Sequence, residues 1–178
     1  DIFDVYGASA SSTYTGGTDG GDTGTGRAND ALAYRWAWKG LHLGVQAQFE
    51  PEGRPVDSLA GVVRYTTPCG FTGGVAYNHA FLADELHGPL QGYDGTDSRA
   101  LATVLSFQND QWRLSAVYAR SWNHEIIFPS DNAGGVVFSG DGVEIAATWT
   151  WRKRLRLAVG YNGLFPRNLT NARVGDNF

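Results

Sequence analysis

Apolar and polar residues alternate along eight successive stretches of this 178-residue chain. Between Ala31 and Trp38 the large side chains Leu32, Tyr34, Trp36 and Trp38 fall on one side, and Ala31, Ala33, Arg35 and Ala37 on the other. Leu41, Leu43, Val45, Ala47 and Phe49 then oppose His42, Gly44, Gln46 and Gln48. A third stretch, Asp57 to Thr66, sets Leu59, Gly61, Val63 and Tyr65 against Val62, Arg64 and Thr66. A fourth sets Phe71, Gly73, Val75 and Tyr77 against Thr72, Gly74, Ala76 and Asn78. Further on, Leu101, Thr103, Leu105 and Phe107 oppose Ala102, Ser106 and Gln108, and Trp112, Leu114, Ala116 and Tyr118 oppose Arg113, Ser115 and Val117. Val143, Ile145, Ala147, Trp149 and Trp151 oppose Glu144, Ala146, Thr148 and Thr150. Last, Leu155, Leu157, Val159 and Tyr161 oppose Arg154, Arg156, Ala158, Gly160 and Asn162. Successive side chains of a strand point to opposite faces, so a period of two held over eight segments predicts eight strands.

The connections alternate in length as well. Short ones fall at Lys39-Gly40, Thr67 to Gly70, Gln108 to Gln111 and Arg152-Lys153; long ones at Glu50 to Val56, Leu82 to Asp97 and Asn123 to Gly140. An up-and-down sheet returns every second connection to the same rim, so one rim carries tight turns and the other all the long loops. That asymmetry is the signature of an outer-membrane barrel. The expected fold class is all-β: a transmembrane antiparallel up-and-down β-barrel with about eight strands present.

Composition supports strands. Charged residues make 18 %, against roughly 25 % in ordinary soluble domains. The 24 glycines and 13 % aromatics suit turns and strands better than helices. A run of about 18 apolar residues, as a membrane-spanning helix needs, is absent, but a spanning strand needs only about 9–11 residues, half of them apolar. The bulky faces are apolar throughout, with Trp, Tyr and Phe at strand ends, where an amphipathic ring sits well at the level of lipid headgroups. The opposite faces carry Arg, Gln, Asn, Thr and Gly. Periodicity alone does not decide which face looks inward, since a soluble barrel is apolar inside and polar outside. Aromatic placement and loop asymmetry favour lipid outside and water inside. The chain has no Met and its tail from Leu169 to Phe178 does not alternate, so it is expected to be a mature product or an excised piece, cut at both ends.

Three stretches carry a likeness to a known family: Arg27 to Arg35 (Arg-Ala-Asn-Asp-Ala-Leu-Ala-Tyr-Arg), Gly40 to Gln48 (Gly-Leu-His-Leu-Gly-Val-Gln-Ala-Gln) and Gly74 to His79 (Gly-Val-Ala-Tyr-Asn-His). In order and spacing the chain resembles the middle of a general porin of the Gram-negative outer membrane, the trimeric 16-stranded type. The resemblance spans essentially the whole chain and implies five further strands before it and three after. It implies a single barrel domain over 1–178, with a constriction-type loop at 1–30, eight strands over 31–162 and an external loop or truncated end at 163–178. The family's third loop folds into the barrel and sets acidic residues against arginines on the wall. Gly20 to Thr23 matches the Gly-Gly-Asp-Thr of that loop, with Asp22 as its acid. Where the family has Pro-Glu-Phe this chain has Thr18-Asp19, so Asp19 is the second candidate acid. Arg27 matches the arginine that follows the loop.

The expected constriction is therefore Asp19, Asp22, Arg27 and Arg35. The expected pore lining is His42, Gln46, Arg64, Arg113, Glu144, Arg154 and Arg156, all on one face by parity. A pore selects by its diameter and by the charges that line it, and this excess of arginine suggests a mild anion preference or only weak cation selectivity. The resemblance implies a passive diffusion channel for small hydrophilic solutes and ions in the bacterial outer membrane. Its expected partners are outer-membrane lipid, lipopolysaccharide and two further copies in a homotrimer. Nucleic acid is not expected at a net charge of -4. Neither an enzyme nor a cofactor is expected. His42, His79, His87 and His124 show no metal-binding spacing, and no nucleophile elbow, phosphate loop or paired-carboxylate motif occurs. The single cysteine, Cys69, excludes an internal disulfide and a Cys-based zinc cluster. Two other readings stay open at this point: a complete eight-stranded outer-membrane barrel with a structural or adhesion role, and a soluble β-barrel binding protein of reversed polarity.

Overall fold

The computed structural model describes residues 31–49, 56, 58–81, 97–127, 136–152 and 154–167. They form one antiparallel sheet of eight strands in chain order: β1 (Ala31–Trp38), β2 (Leu41–Gln48), β3 (Ser58–Thr66), β4 (Phe71–Ala80), β5 (Ser98–Gln108), β6 (Trp112–Ile127), β7 (Val136–Trp151) and β8 (Leu155–Arg167). Each strand pairs with its sequence neighbours. Among the described residues β1 and β8 are paired on one side only, so the sheet does not close on itself as a complete eight-stranded barrel would.

The tight turns follow from local chemistry. Lys39 and Gly40 both have positive φ, 45° and 86°, the backbone of a two-residue hairpin whose twist matches that of its strands. Between β3 and β4 the Thr67 hydroxyl donates to the Phe71 carbonyl (3.1 Å) and accepts from its N–H (3.0 Å). Between β5 and β6 the Asn109 side-chain oxygen accepts from the N–H groups of Gln111 (2.9 Å) and Trp112 (2.7 Å). The β7–β8 turn closes with the Arg154 N–H on the Trp151 carbonyl, 3.0 Å.

Three strand ends run beyond the alternation. The connection expected from Asn123 to Gly140 is shorter, because β6 continues to Ile127 and β7 begins at Val136. The cause is a bulge. The register steps from Ser121 opposite Gly140 to Glu125 opposite Phe138, leaving Trp122 to His124 facing the single Ser139. Asn123 takes a φ of 47° there, and its N–H donates to the Ser139 hydroxyl at 3.1 Å. A bulge interrupts the period of two while pairing resumes beyond it. β8 likewise runs to Arg167, five residues past Asn162, with Pro166 opposite Gly140. Proline lacks an N–H and is tolerated on an edge strand such as this one.

The register keeps the two faces separate across all eight strands. Starting at Arg35, one row of partners runs Gly44, Val62, Ala76, Ala102, Ala119, Gly142 and Leu164; all are polar or small positions except Val62 and, on the edge strand, Leu164. The polarity is inverted relative to a soluble core. Leu32, Leu105 and Val159 are 71 %, 71 % and 68 % exposed, while Ser98, Thr148 and Glu144 are 1 %, 3 % and 5 % exposed.

Gly70 has a φ of 92°, and a Cβ there would lie 2.0 Å from the Gln108 carbonyl oxygen. Gly70→Ala is expected to cost about 1–3 kcal/mol, from backbone strain and displacement of the β4–β5 ladder. The check is a lower midpoint of denaturant unfolding. Gly73→Ala serves as the tolerated control, since its Cβ would meet only a Leu105 methyl at 3.6 Å.

Candidate functional site

The polar face is the candidate site, and small residues opposite the long ones make room on it. Arg35 stands opposite Gly44, where a Cβ would come within 2.8 Å of a Val62 methyl. Arg64 stands opposite Gly74, where a Cβ would sit 3.3 Å from that of Arg64 and 3.2 Å from a Val104 methyl. His42 pairs with Arg64 on one side and Ala37 on the other, and Gln46 lies between Ala33 and Ala60. Arg113 lies between Gln108 and Thr148, and its Nε donates to the Gln108 Oε1 at 3.1 Å. Arg156 is opposite Thr150. Glu144, between Val117 and Asn162, accepts from the Asn162 side-chain amide at 3.3 Å.

Six of the seven expected lining residues, His42, Gln46, Arg64, Arg113, Glu144 and Arg156, therefore share one face with Arg35, which was expected at the constriction. Arg154 does not join them on a strand, because it belongs to the turn after β7. Asp19, Asp22 and Arg27 lie outside the described residues. Among the described residues none of Arg35, Arg64, Arg113 and Arg156 forms an ion pair with a carboxylate, so the described part of the face carries more positive than negative charge. No group of three or more His, Cys, Asp or Glu among the described residues could hold a metal ion.

The apolar face carries its own pattern. At the tight-turn rim Phe71 packs at a tilt against Phe107 (4.6 Å between centroids) and Trp112 against Trp149 (6.3 Å). Turn cations lie over rim aromatics: Lys39 over Trp38 at 4.9 Å, and Arg152 over Trp151 at 5.1 Å. At the other rim sits a polar cluster that the alternation missed. The Tyr118 hydroxyl donates to Asp141 at 2.6 Å, Arg167 donates to the same carboxylate, and Arg120 approaches it at 3.8 Å while lying 5.2 Å from the Trp122 ring. His79 and Asp97 bond at 2.9 Å. The signal was available, since Arg120 and Trp122 continue the two-residue step of Trp112 to Tyr118. From Trp112 to Trp122 is ~33 Å along the strand at ~3.3 Å per residue, or ~25 Å across a sheet tilted by ~40°. That is the height of a lipid-facing band between two aromatic girdles.

Up-and-down strands, tight turns on one rim, and apolar side chains on the exposed face define the wall of a wide β-barrel. Neither a family model nor a curated protein matches the chain. Among solved structures it is similar to OmpF of Salmonella typhi in complex with daunomycin, a general porin, with a TM-score of 0.72 at 21 % identity. The match covers 85 % of this chain and 48 % of that one. The chain thus has the porin β-barrel fold and spans about half the length of the OmpF chain.

The Asp141 cluster holds the far ends of β6, β7 and β8 together. Tyr118→Phe is expected to cost about 1 kcal/mol and Asp141→Asn about 1–3 kcal/mol, with a coupling of at least ~0.5 kcal/mol in the double variant. The check is a double-mutant cycle of unfolding free energies; strict additivity would show that the bond does not hold in solution.

Proposed function

We propose that the chain is part of the wall of an outer-membrane porin, a water-filled channel for passive diffusion of small hydrophilic solutes and ions. The observation that carries this reading is the inverted polarity. Leu32, Val45, Leu105, Leu157 and Val159 are exposed on one face, and the arginines lie on the other. In water a contiguous apolar face of eight strands would drive association. Against acyl chains it is the stable arrangement, whereas a lipid-facing arginine near mid-bilayer would cost about 2–4 kcal/mol. Sheet closure, which a membrane requires because no unpaired strand edge is tolerated in lipid, would come from further strands.

In this reading Arg35 and Arg64 form the basic side of a constriction with Arg27, facing Asp22 and Asp19 on an infolded loop. The transverse field aligns dipolar solutes and slows apolar ones, and no chemical step is involved. His42, Gln46, Arg113, Glu144 and Arg156 on the same face, and Arg154 at the tight-turn rim, tune ion passage. Assembly as a homotrimer in lipopolysaccharide-containing outer membrane belongs to the same proposal. The soluble binding-protein reading leaves the exposed apolar face without an account. The closed eight-stranded reading needs a β1–β8 ladder, which the described residues do not form.

Three measurements test this. The protein should need detergent for extraction; a chain that stays monodisperse in buffer alone overturns the membrane reading. The reversal potential in a salt gradient should show at most weak cation preference, and Arg35→Glu with Arg64→Glu should move it toward cations; strong cation preference in the unmodified channel would contradict the arginine-lined wall. Cys69, exposed in the β3–β4 turn, should react with an impermeant maleimide only from the tight-turn side. Its Thr67 hydroxyl neighbour, 3.2 Å from the sulfur, holds the thiol pKa below the ordinary value. Thiolate is therefore present at lower pH than in a free thiol, and Thr67→Val should shift the labelling profile to higher pH.

A further inference from the structure

At the tight-turn end of the polar face, beside the β5–β6 turn, lies a polar pocket of about 220 Å³. Its lining includes Gln108, Asp110, Arg113, Thr148, Thr150 and Arg156. Three strands build it. Arg113 on β6 stands opposite Thr148 on β7, and Thr150 on β7 stands opposite Arg156 on β8, so two guanidinium groups flank two threonines. Two like charges share one recess here, and neither arginine has a carboxylate partner among the described residues.

Two details point to a ligand. The bond from Arg113 Nε to Gln108 at 3.1 Å fixes the guanidinium plane and leaves its terminal nitrogens to donate elsewhere. Thr148 is 3 % exposed, and its hydroxyl has no hydrogen-bond partner among the described residues. Buried hydroxyls are ordinarily satisfied, so an orphan at the wall of a two-arginine pocket marks an incomplete donor set. Asp110 is exposed on the turn, where solvent and salt screen it.

We propose that this pocket binds a small oxyanion of the phosphate or phosphomonoester class at the tight-turn mouth of the channel. The planar fork of arginine matches the paired oxygens of phosphate, and a threonine hydroxyl donates to a third. Chloride offers no such geometry, so the site favours oxyanions over halides. The proposal rests on reading the polar face as a water-filled wall, which a free anion can reach. The pocket then concentrates phosphate-bearing solutes at one mouth and makes the pore asymmetric toward them.

The test uses the full-length protein in planar bilayers in potassium chloride, with inorganic phosphate added to one side at a time. Phosphate on the tight-turn side, identified by Cys69 labelling, should reduce chloride current saturably, and phosphate on the other side should act only at higher concentration. R113Q/R156Q should raise the half-effective concentration at least ~tenfold, with R113K/R156K falling between it and the unmodified protein. T148V should raise it ~threefold and T148S should restore it. An unchanged titration in R113Q/R156Q, or a chloride current indifferent to phosphate from both sides, overturns the site. A protein with no chloride conductance refutes the channel reading instead. In that case calorimetry with inorganic phosphate on the detergent-solubilised protein decides the site, by a binding heat present in the unmodified chain and lost in R113Q/R156Q, or by no heat at all.

Discussion

Everything in this sheet depends on register. A strand turns a side chain over at every residue, so one residue of slip between neighbours would carry a whole set of apolar side chains to the polar face. In water such a slip exposes some leucines and buries some arginines. In a bilayer it also moves charge into hydrocarbon. The ladder keeps Leu43 opposite Val63 and Trp36 on one face, and Arg35 opposite Gly44 on the other. The devices that pin it are local: positive φ at Lys39, Gly40 and Gly70, the Thr67 hydroxyl on the Phe71 backbone, and the Asn109 side chain capping its turn.

Separation of faces also explains the distribution of residue sizes. Long cationic side chains face glycine across the ladder, as Arg35 does Gly44 and Arg64 does Gly74, so they extend without displacing neighbours. Small residues elsewhere on that face leave open space rather than a packed core, which suits a wall bounding water. The apolar face is banded. Aromatics and turn cations mark one rim, and the Asp141 cluster with its tyrosine and arginines marks the other. On β6 Leu114 and Ala116 lie between the rims, and the full rise from Trp112 to Trp122, ~25 Å across the tilted sheet, fits the height of a lipid-facing band.

The strands were legible because each half-buried strand writes its geometry directly as alternation, and the rims because turn chemistry repeats at Lys39-Gly40, Thr67 to Gly70 and Asn109 to Gln111. The far ends of β6, β7 and β8 were not. At Trp122 to His124 the bulge breaks the period, and near Gly163 and Pro166 the residue types belong as much to loops as to an edge strand. Reading the chain beyond Asn162 as loop hid Arg167, which joins Arg120 at the Asp141 carboxylate. Arg154 erred the other way: its parity fits the polar face, but the turn claims it, because its N–H closes on the Trp151 carbonyl.

By itself the sequence determined the order of strands, their two faces and the rim that carries tight turns, since these follow from periodicity and from residues that bend the chain. Only the tertiary structure decided which residues of different strands meet. That Arg113 and Arg156 share a recess with an unpartnered Thr148, and that Tyr118 reaches Asp141, depends on register between segments far apart in the chain. A one-dimensional pattern does not encode such distances, because the same alternation is compatible with any even shift of one strand against the next.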